Sequence, residues 1–310
     1  MPKNGPKLLL IDANNMAHRV FWTHKYLHFK GNFTGVLFGF VKQLIYLRKQ
    51  FPGHFMVIAW DGGYARRKAE SKAAVEAGII PSSYKETREK AKEKADPNKQ
   101  EEIEALYLQM DQLREEVLPL INCLQVKVDG VEGDDILYTY CDYVHKWNGE
   151  AVVVSSDKDF YQTLGYGDKI IVYDAMKNEV RTAKRFGLEW NFPATAFVDW
   201  GALVGESGPS SDNIFGAKGW GPKTASKYIQ EYGSLEAIIS GLKAKTKRSK
   251  KEQKLLDTIP RVMLARSLKQ MDIIKGVPRP HCEPKDYQTI YAKWLSLGFM
   301  SLLKDIRLFT

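Results

Sequence analysis

Short apolar runs recur along the chain, and acidic residues close them. Leu8, Leu9, Leu10 and Ile11 end at Asp12, Met56 to Trp60 end at Asp61, and Val152, Val153 and Val154 lead through Ser155 and Ser156 to Asp157 and Asp159. Apolar runs without alternation are the pattern of strands buried on both faces, as in a parallel sheet. Val126 with Val128, and Ile170 to Tyr173, predict two more strands. Between them the spacing changes to three and four. Val36, Phe40, Leu44, Ile45 and Leu47 predict one helix; Ile103, Leu106, Tyr107, Met110, Leu113, Val117 and Leu118 form a second stripe, read as core packing; Ile136, Leu137, Tyr140 and Val144 give a third. The Gln50-Phe51-Pro52-Gly53 break returns the first helix to a strand, which makes a βαβ unit. Asp12-Ala13-Asn14-Asn15 has the composition of a turn, and Asp96-Pro97 reads as an N-cap with proline in the first helical position. The expected fold is α/β, a central, mostly parallel sheet flanked by helices, with a core over 1–180 and a helical region over 181–310.

The carboxyl ends of strands in a parallel sheet open onto one edge, where such folds place ligands. Asp12, Asp61, Asp157 and Asp159 should therefore converge, and the stretch Val131-Glu132-Gly133-Asp134-Asp135 adds three more carboxylates at a helix start. Acids in a first helical turn are stabilised by the helix dipole, which accounts for one or two of them. It does not account for the whole set. Like charges a few ångströms apart disfavour each other's ionisation, so the cluster calls for cations, and hard oxygen ligands suit Mg²⁺ or Mn²⁺.

The 310 residues are 44% hydrophobic, enough for a sizeable core, and carry a formal net charge of +9. An acidic pocket in a basic protein suggests a polyanion held by the surface and delivered to metals, the other reading of the lysines being simple solubility. Much of the excess lies between 66 and 99, where Arg66, Arg67, Lys68, Lys72, Lys85, Arg88, Lys90, Lys92, Lys94 and Lys99 crowd around breaks at Gly78 and Pro81. Such a run is commonly a solvated helical face, but this one follows directly on Asp61. Lys243 to Lys254 is also basic and reads as a mobile loop. In Gly216 to Ala225, glycines let amides approach a phosphate, and Pro222 opens a helix whose N-terminus can bind an anion. Three cysteines, Cys123, Cys141 and Cys282, suggest neither zinc nor a disulfide framework. The first apolar run is too short for a signal peptide and no later run approaches a membrane span, so a cytoplasmic protein without membrane partners is expected.

Taken together the motifs resemble the 5′ nuclease family: flap endonucleases, bacteriophage 5′–3′ exonucleases and the 5′ nuclease domain of bacterial DNA polymerase I. The resemblance runs from about Leu8 to about Lys275. Leu10 to Asn15 is similar to the first metal-ligand strand and Trp60-Asp61-Gly62 to the second. Tyr84-Lys85-Glu86-Thr87-Arg88 resembles the Tyr-Lys-x-x-Arg of the helical arch, Gly130 to Asp135 the Glu-Ala-Asp-Asp element, and Ser156 to Gln162 the Asp-Lys-Asp-x-x-Gln element. Asp212-Asn213-Ile214 through Ala225 is similar to the DNA-binding helix-two-turn-helix, here about 203–240. The chain departs from the family at Gly205 to Asn213, where Glu206 replaces the first Asp of Gly-Asp-x-x-Asp-Asn and the spacing is longer. Glu206 is read either as a metal ligand with a longer reach or as a surface-loop residue.

The resemblance implies two-metal hydrolysis of phosphodiesters by two Mg²⁺, with Mn²⁺ able to substitute and a monovalent cation at the helix-two-turn-helix. It assigns Asp12, Asp61, Glu132, Asp134 and Asp135 to the first metal, and Asp157, Asp159, Asp212 and Glu206 to the second. Lys85 and Arg88 would meet charge on the reacting phosphate, and Tyr84 would stack on a terminal base. The segment 66–100, with Arg66, Arg67 and Lys72, would arch over a 5′ single strand, while Lys218, Gly219, Gly221, Lys223, Thr224 and Lys227 would grip duplex backbone. The expected partners are branched or 5′-flapped DNA and RNA–DNA primer hybrids, met by a monomer. With no polymerase region in the sequence, the resemblance is to a free-standing enzyme of the kind phages encode, which would work in the host cytoplasm. The rival readings are a non-catalytic branched-DNA-binding protein and a ribonuclease on the same scaffold.

Overall fold

Each apolar run becomes a strand, and the strands align so that their acidic ends lie side by side. In the computed structural model, which describes residues 5–93, 96–206, 208 and 211–310 without the side chains of 92, 93 and 97–99, a six-stranded sheet runs β5-β4-β1-β6-β7-β8. In chain order the elements begin with β1 (Lys7–Asp12), α1 (Ala13–His24), the hairpin β2 (His28–Phe29) and β3 (Asn32–Phe33), α2 (Gly35–Gln50) and β4 (Phe55–Trp60). Then come α3 (Ala65–Glu76), α4 (Glu86–Glu93), α5 (Pro97–Gln112), β5 (Leu124–Lys127), α6 (Gly133–Lys146), β6 (Glu150–Val154), β7 (Ile170–Asp174) and β8 (Glu179–Arg181). The helical region holds α7 (Ala183–Trp190), α8 (Phe197–Val204), α9 (Pro222–Tyr232), α10 (Leu235–Ala244), α11 (Lys250–Asp257), α12 (Ile259–Lys269) and α13 (Tyr287–Ser296).

Within the six-stranded sheet all neighbouring strands are parallel except β7 and β8. Alternation along β1 divides the core: Leu8 and Leu10 face a cluster shared with α6 and the helical region, while Leu9 and Ile11 face one shared with α1 and α2. The register pairs Asp12 with Ala59, two residues before Asp61, and Ile11 with Val154, three residues before Asp157. Backbone pairing alone therefore brings these acids to one edge.

Four expectations need correction. The stretch Asp12 to Asn15 is no turn: α1 begins at Ala13 because the Asp12 side chain accepts the amide of Asn15 at 3.0 Å and caps the helix. The stripe of α5 is not all core, because Tyr107 lines the central cleft while Leu106 and Met110 are buried. The Lys243–Lys254 segment is largely helical, since α11 starts at Lys250 behind a capping box made by Ser249 and Glu252. Residues beyond 181 are also not one packing unit: Ile290, Trp294, Phe299, Ile306 and Phe309 return to the cluster around α2. Lys94, Ser207, Pro209 and Ser210, and the side chains of Lys92 and Lys99, lie outside the described residues.

One close backbone approach sets the loop that carries Asp212. Glu206 and Ile214 exchange backbone hydrogen bonds of 2.6 and 3.0 Å, and a β-carbon on Gly216 would lie 2.5 Å from the amide nitrogen of Gly205 and 2.6 Å from the Leu203 carbonyl oxygen. Backbone atoms on both sides cannot yield as a flexible side chain would. Gly216→Ala should therefore destabilise the protein by about 1–3 kcal/mol, seen as a lower midpoint in urea unfolding; an unchanged midpoint would show that the loop relaxes without cost.

Candidate metal centre and nucleic-acid interface

At the carboxyl edge of the sheet a cleft of about 460 Å³ is lined by Asp12, Asp61, Glu132, Asp134, Asp157, Asp159 and Asp212, with Lys85, Arg88 and Lys269. Seven of the nine predicted metal-ligating acids thus meet in one place. Asp12 accepts from Ser155 Oγ at 3.0 Å, and burial with the charges of Asp61 and Asp157 pushes its pKa up to about 7. Asp61 accepts the amide of Gly133 at 2.7 Å, a close approach in which a β-carbon on Gly133 would sit 3.1 Å from the Asp61 carboxylate. Asp134, in the first turn of α6, is raised well above the usual carboxylate range by burial and by Glu132 and Asp135. Asp157 caps the turn that follows β6 by accepting the Asp159 amide at 2.9 Å; burial and the Asp159 charge raise it to about 6.

The other acids are already paired with cations. Arg67 is buried, at 3% exposure, and donates to Asp135 at 2.7 and 2.8 Å, to Glu132 at 2.6 Å and to the carbonyls of Leu268 and Gln270. Burial opposes its charge, but the Asp135 hydrogen bonds and the charges of Asp134 and Glu132 outweigh that and hold its pKa above the ordinary value. Glu132 also receives Lys85 Nζ. Asp212 accepts Arg88 Nη1 at 2.7 Å and the Tyr84 hydroxyl at 3.1 Å. Lys269 Nζ lies 2.9 Å from both carboxylate oxygens of Asp159 and donates to Glu206.

This division sorts the candidate ligands. Glu132, Asp134 and Asp135 bring one oxygen each within 4.8 Å of one another. Two of these three are held by Arg67, so proximity overstates the trio as a metal site. Among the described residues Asp12, Asp61, Asp134 and Asp157 have no basic side chain in contact, and three of the four have pKa values raised by burial and like charge. These four oxygen donors fit a hard divalent cation. Asp135 instead positions Arg67, and the Glu206 carboxylate meets Lys269.

Three expectations about positive and aromatic groups are overturned by pairing or burial. Arg67 offers nucleic acid no free face, and Arg66 is engaged by Asp272, Glu70 and Ser267, so the pair fastens α3 to α12. Tyr84 is 4% exposed, packs edge-on against Tyr64 and directs its hydroxyl to acids, which leaves no ring face for a base. Lys72 is exposed on α3. Lys85 adopts a left-handed backbone, φ 58°, held by its amide donating to the Asp212 carbonyl at 3.1 Å, and its ammonium stands 5.1 Å from the Tyr64 and Tyr84 rings. At the second location Gly219 has φ 83°, Gly221 is the N-cap of α9, and Lys218, Lys223 and Lys227 are exposed beside Thr224.

Sequence reasoning missed Lys269, and with it His18 and Tyr64 in the cleft wall. A signal for Lys269 existed. It stands seven residues after buried Val262, on the stripe that includes Ala265, so a lysine there occupies a core position.

Two family profiles match the chain: the 5′-3′ exonuclease N-terminal resolvase-like domain over residues 7–190, and the 5′-3′ exonuclease C-terminal SAM fold over 192–283. The thermostable DNA polymerase I of Thermus thermophilus is 29% identical over 277 residues, 87% of this chain and 29% of that protein. The 5′-3′ exonuclease of Aquifex aeolicus is 26% identical over 303 residues, 96% of this chain and 94% of that one. The chain therefore spans 26–34% of the length of the polymerases it matches. Among solved structures, the zinc-bound 5′-exonuclease of T5 has a TM-score of 0.69 at 18% identity, covering 97% of this chain and 98% of its own. The catalytic core of Rad2 with DNA substrate has a TM-score of 0.57 at 18% identity, covering 98% and 91%. At these identities the structural likeness is one of fold.

The pH dependence of the site follows from Asp12. Its folded pKa of about 7 exceeds the ordinary carboxylate value, so its contribution to stability is present at acid pH and is lost as pH rises through about 7. In EDTA, Asp12→Asn should melt about 2–4 °C above the parent at pH 8, and the gap should close toward pH 4; thermal scans across that range check it, and a gap independent of pH would reject the assignment.

Proposed function

The chain belongs to the 5′-3′ exonuclease family, and on that premise we propose that it is a structure-selective 5′ nuclease that hydrolyses phosphodiesters at 5′ flaps and 5′ ends of branched or duplex DNA. The products would carry 5′-phosphate and 3′-hydroxyl ends, and RNA–DNA primers would serve as substrates. The observation that carries this reading is the meeting of Asp12, Asp61, Asp134 and Asp157, which have no basic partner among the described residues, with Lys85 and Arg88 in a single cleft.

Those four carboxylates, with Asp159 beside them, would hold Mg²⁺ or Mn²⁺. Bound divalent cations supply acidified water and neutralise charge on the phosphodiester. The chain's own groups do the rest. Lys85 and Arg88 bring positive charge to the cleft, Lys85 on a backbone fixed by Asp212. Arg67 keeps Glu132 and Asp135 neutralised, so that α6 can present Asp134 at its first turn. Lys72, Lys218, Lys223 and Lys227 meet phosphates, as does the amide-rich turn at Gly219 and Gly221; such contacts position without reading sequence, so selectivity lies in the shape of the junction. The polymerase names among the relatives suit a role in replication or repair.

Cleavage of a 5′-labelled flap duplex in Mg²⁺, beside an all-RNA hairpin and an EDTA control, tests the reading. Metal-dependent incision of DNA near the junction is expected. Cleavage of the hairpin alone would replace it with a ribonuclease, and tight binding without cutting would replace it with a binding protein. Lys85→Ala should lower turnover by roughly 10²–10³ with little change in DNA affinity; single-turnover rates and a binding titration separate the two, and equal losses would remove Lys85 from the reaction.

A further inference from the structure

Lys269 is the buried cation of the cleft that no motif announces. It is 7% exposed at the last position of α12, and its ammonium spans Asp159, on the turn after β6, and Glu206, on the bridge to Ile214. Its stem is packed: a β-carbon on Gly201 of α8 would touch the Lys269 Cδ at 3.6 Å. Its carbonyl accepts Gln162 Nε2 at 3.2 Å, while Gln162 Oε1 accepts the Met271 amide at 3.0 Å, so the backbone on either side is fixed by one buried glutamine. A cation at a helix C-terminus is favoured by the dipole, but that would be satisfied in solvent. Here the ammonium is carried inward to two carboxylates on other elements.

We infer that Lys269 is the built-in counter-ion of the Asp159 and Glu206 half of the cleft, so that the chain holds one divalent cation tightly, through Asp12, Asp61, Asp134 and Asp157, and a second only weakly. This rests on the metal-dependent reading above and deepens it. A buried ammonium is tolerated only while it is paired. A second divalent cation drawing on Asp159 would strip Lys269 of a partner and add a like charge beside it, which opposes binding. The departure at Glu206 takes on a meaning in this arrangement. The residue is retained as a carboxylate because it pairs with the lysine; it is not the missing metal ligand. The acids of the set facing Lys269 and Arg88 are thereby separated from those left for the cation.

The test is Mn²⁺ binding to the full chain without DNA, followed by the electron paramagnetic resonance of free Mn²⁺ and by calorimetry. The parent should show one tight site and a second at least tenfold weaker. Lys269→Met should strengthen the second site by tenfold or more. Two equally tight sites in the parent, or a folded Lys269→Met protein with unchanged binding, would overturn the inference. If Lys269→Met fails to fold, Glu206→Gln decides. As a partner of Lys269, its loss should lower the melting midpoint in EDTA by several degrees and leave the tight site within twofold; as a metal ligand, its loss would leave or raise that midpoint, since a repelling carboxylate goes. Flap cleavage is measured separately, so its absence would remove the functional reading while Mn²⁺ stoichiometry still decides this one.

Discussion

Crowding of like charge is the constraint on which the rest of the structure depends. The sheet register delivers carboxylates from β1, β4 and β6 to one edge, and α6 and the 206–212 loop add more. The fold tolerates them by pairing every acid of the outer set with a cation, some of them shared. Arg67 serves Glu132 and Asp135, Lys85 serves Glu132, Arg88 serves Asp212, and Lys269 serves Asp159 and Glu206. What remains is a smaller group, Asp12, Asp61, Asp134 and Asp157, in which burial and neighbouring carboxylates push up the pKa values of Asp12, Asp134 and Asp157. The site is thus defined as much by where cations are placed as by where acids are.

The same pairs hold the molecule together. Arg67 reaches from α3 to α6 and to the carbonyls that end α12, and Arg66 beside it reaches Asp272, so the first helix after Asp61 is fastened to both layers. Breaking such a buried pair leaves an uncompensated charge, typically at a cost of about 3–5 kcal/mol. Structural and chemical roles therefore cannot be assigned by residue type alone. Arg66 and Arg67 look like arch arginines in the sequence and behave as fasteners, whereas Lys85, three residues from Arg88, points into the cleft.

The parts of the fold that were legible in the sequence are those that rest on local patterns. The strand runs, the helices at α2 and α6 and the convergence of Asp12, Asp61 and Asp157 follow from periodicity and from the geometry of parallel sheets. The α1 helix was hidden because Asp12, Asn14 and Asn15 are turn formers whose role here is to cap and to line the cleft; Asn14 accepts the Asp61 amide. The burial of Tyr84, the pairing of Arg67 and the reach of Lys269 depend on contacts between residues far apart in the chain. No window of sequence contains both partners. The return of Trp294 and Phe309 to the α2 side of the sheet was hidden for the same reason.

Low identity with preserved fold follows from how the site is built. At 18% identity the chain superposes on the T5 exonuclease over nearly its whole length. The main devices that place the acids are backbone devices: strand register, the Asp12 cap, the Gly133 approach to Asp61 and the Glu206–Ile214 bridge. They constrain a few residues tightly and leave the faces of helices free to vary. A longer 206–212 segment can be accommodated because the bridge and the Gly205–Gly216 contact close its base, and Asn213, with φ 57°, ties it to the stretch before α4 by donating to the Ser83 carbonyl. Asp212 then meets Arg88 and Tyr84. The loop can lengthen between its fixed ends without moving the acid at its base.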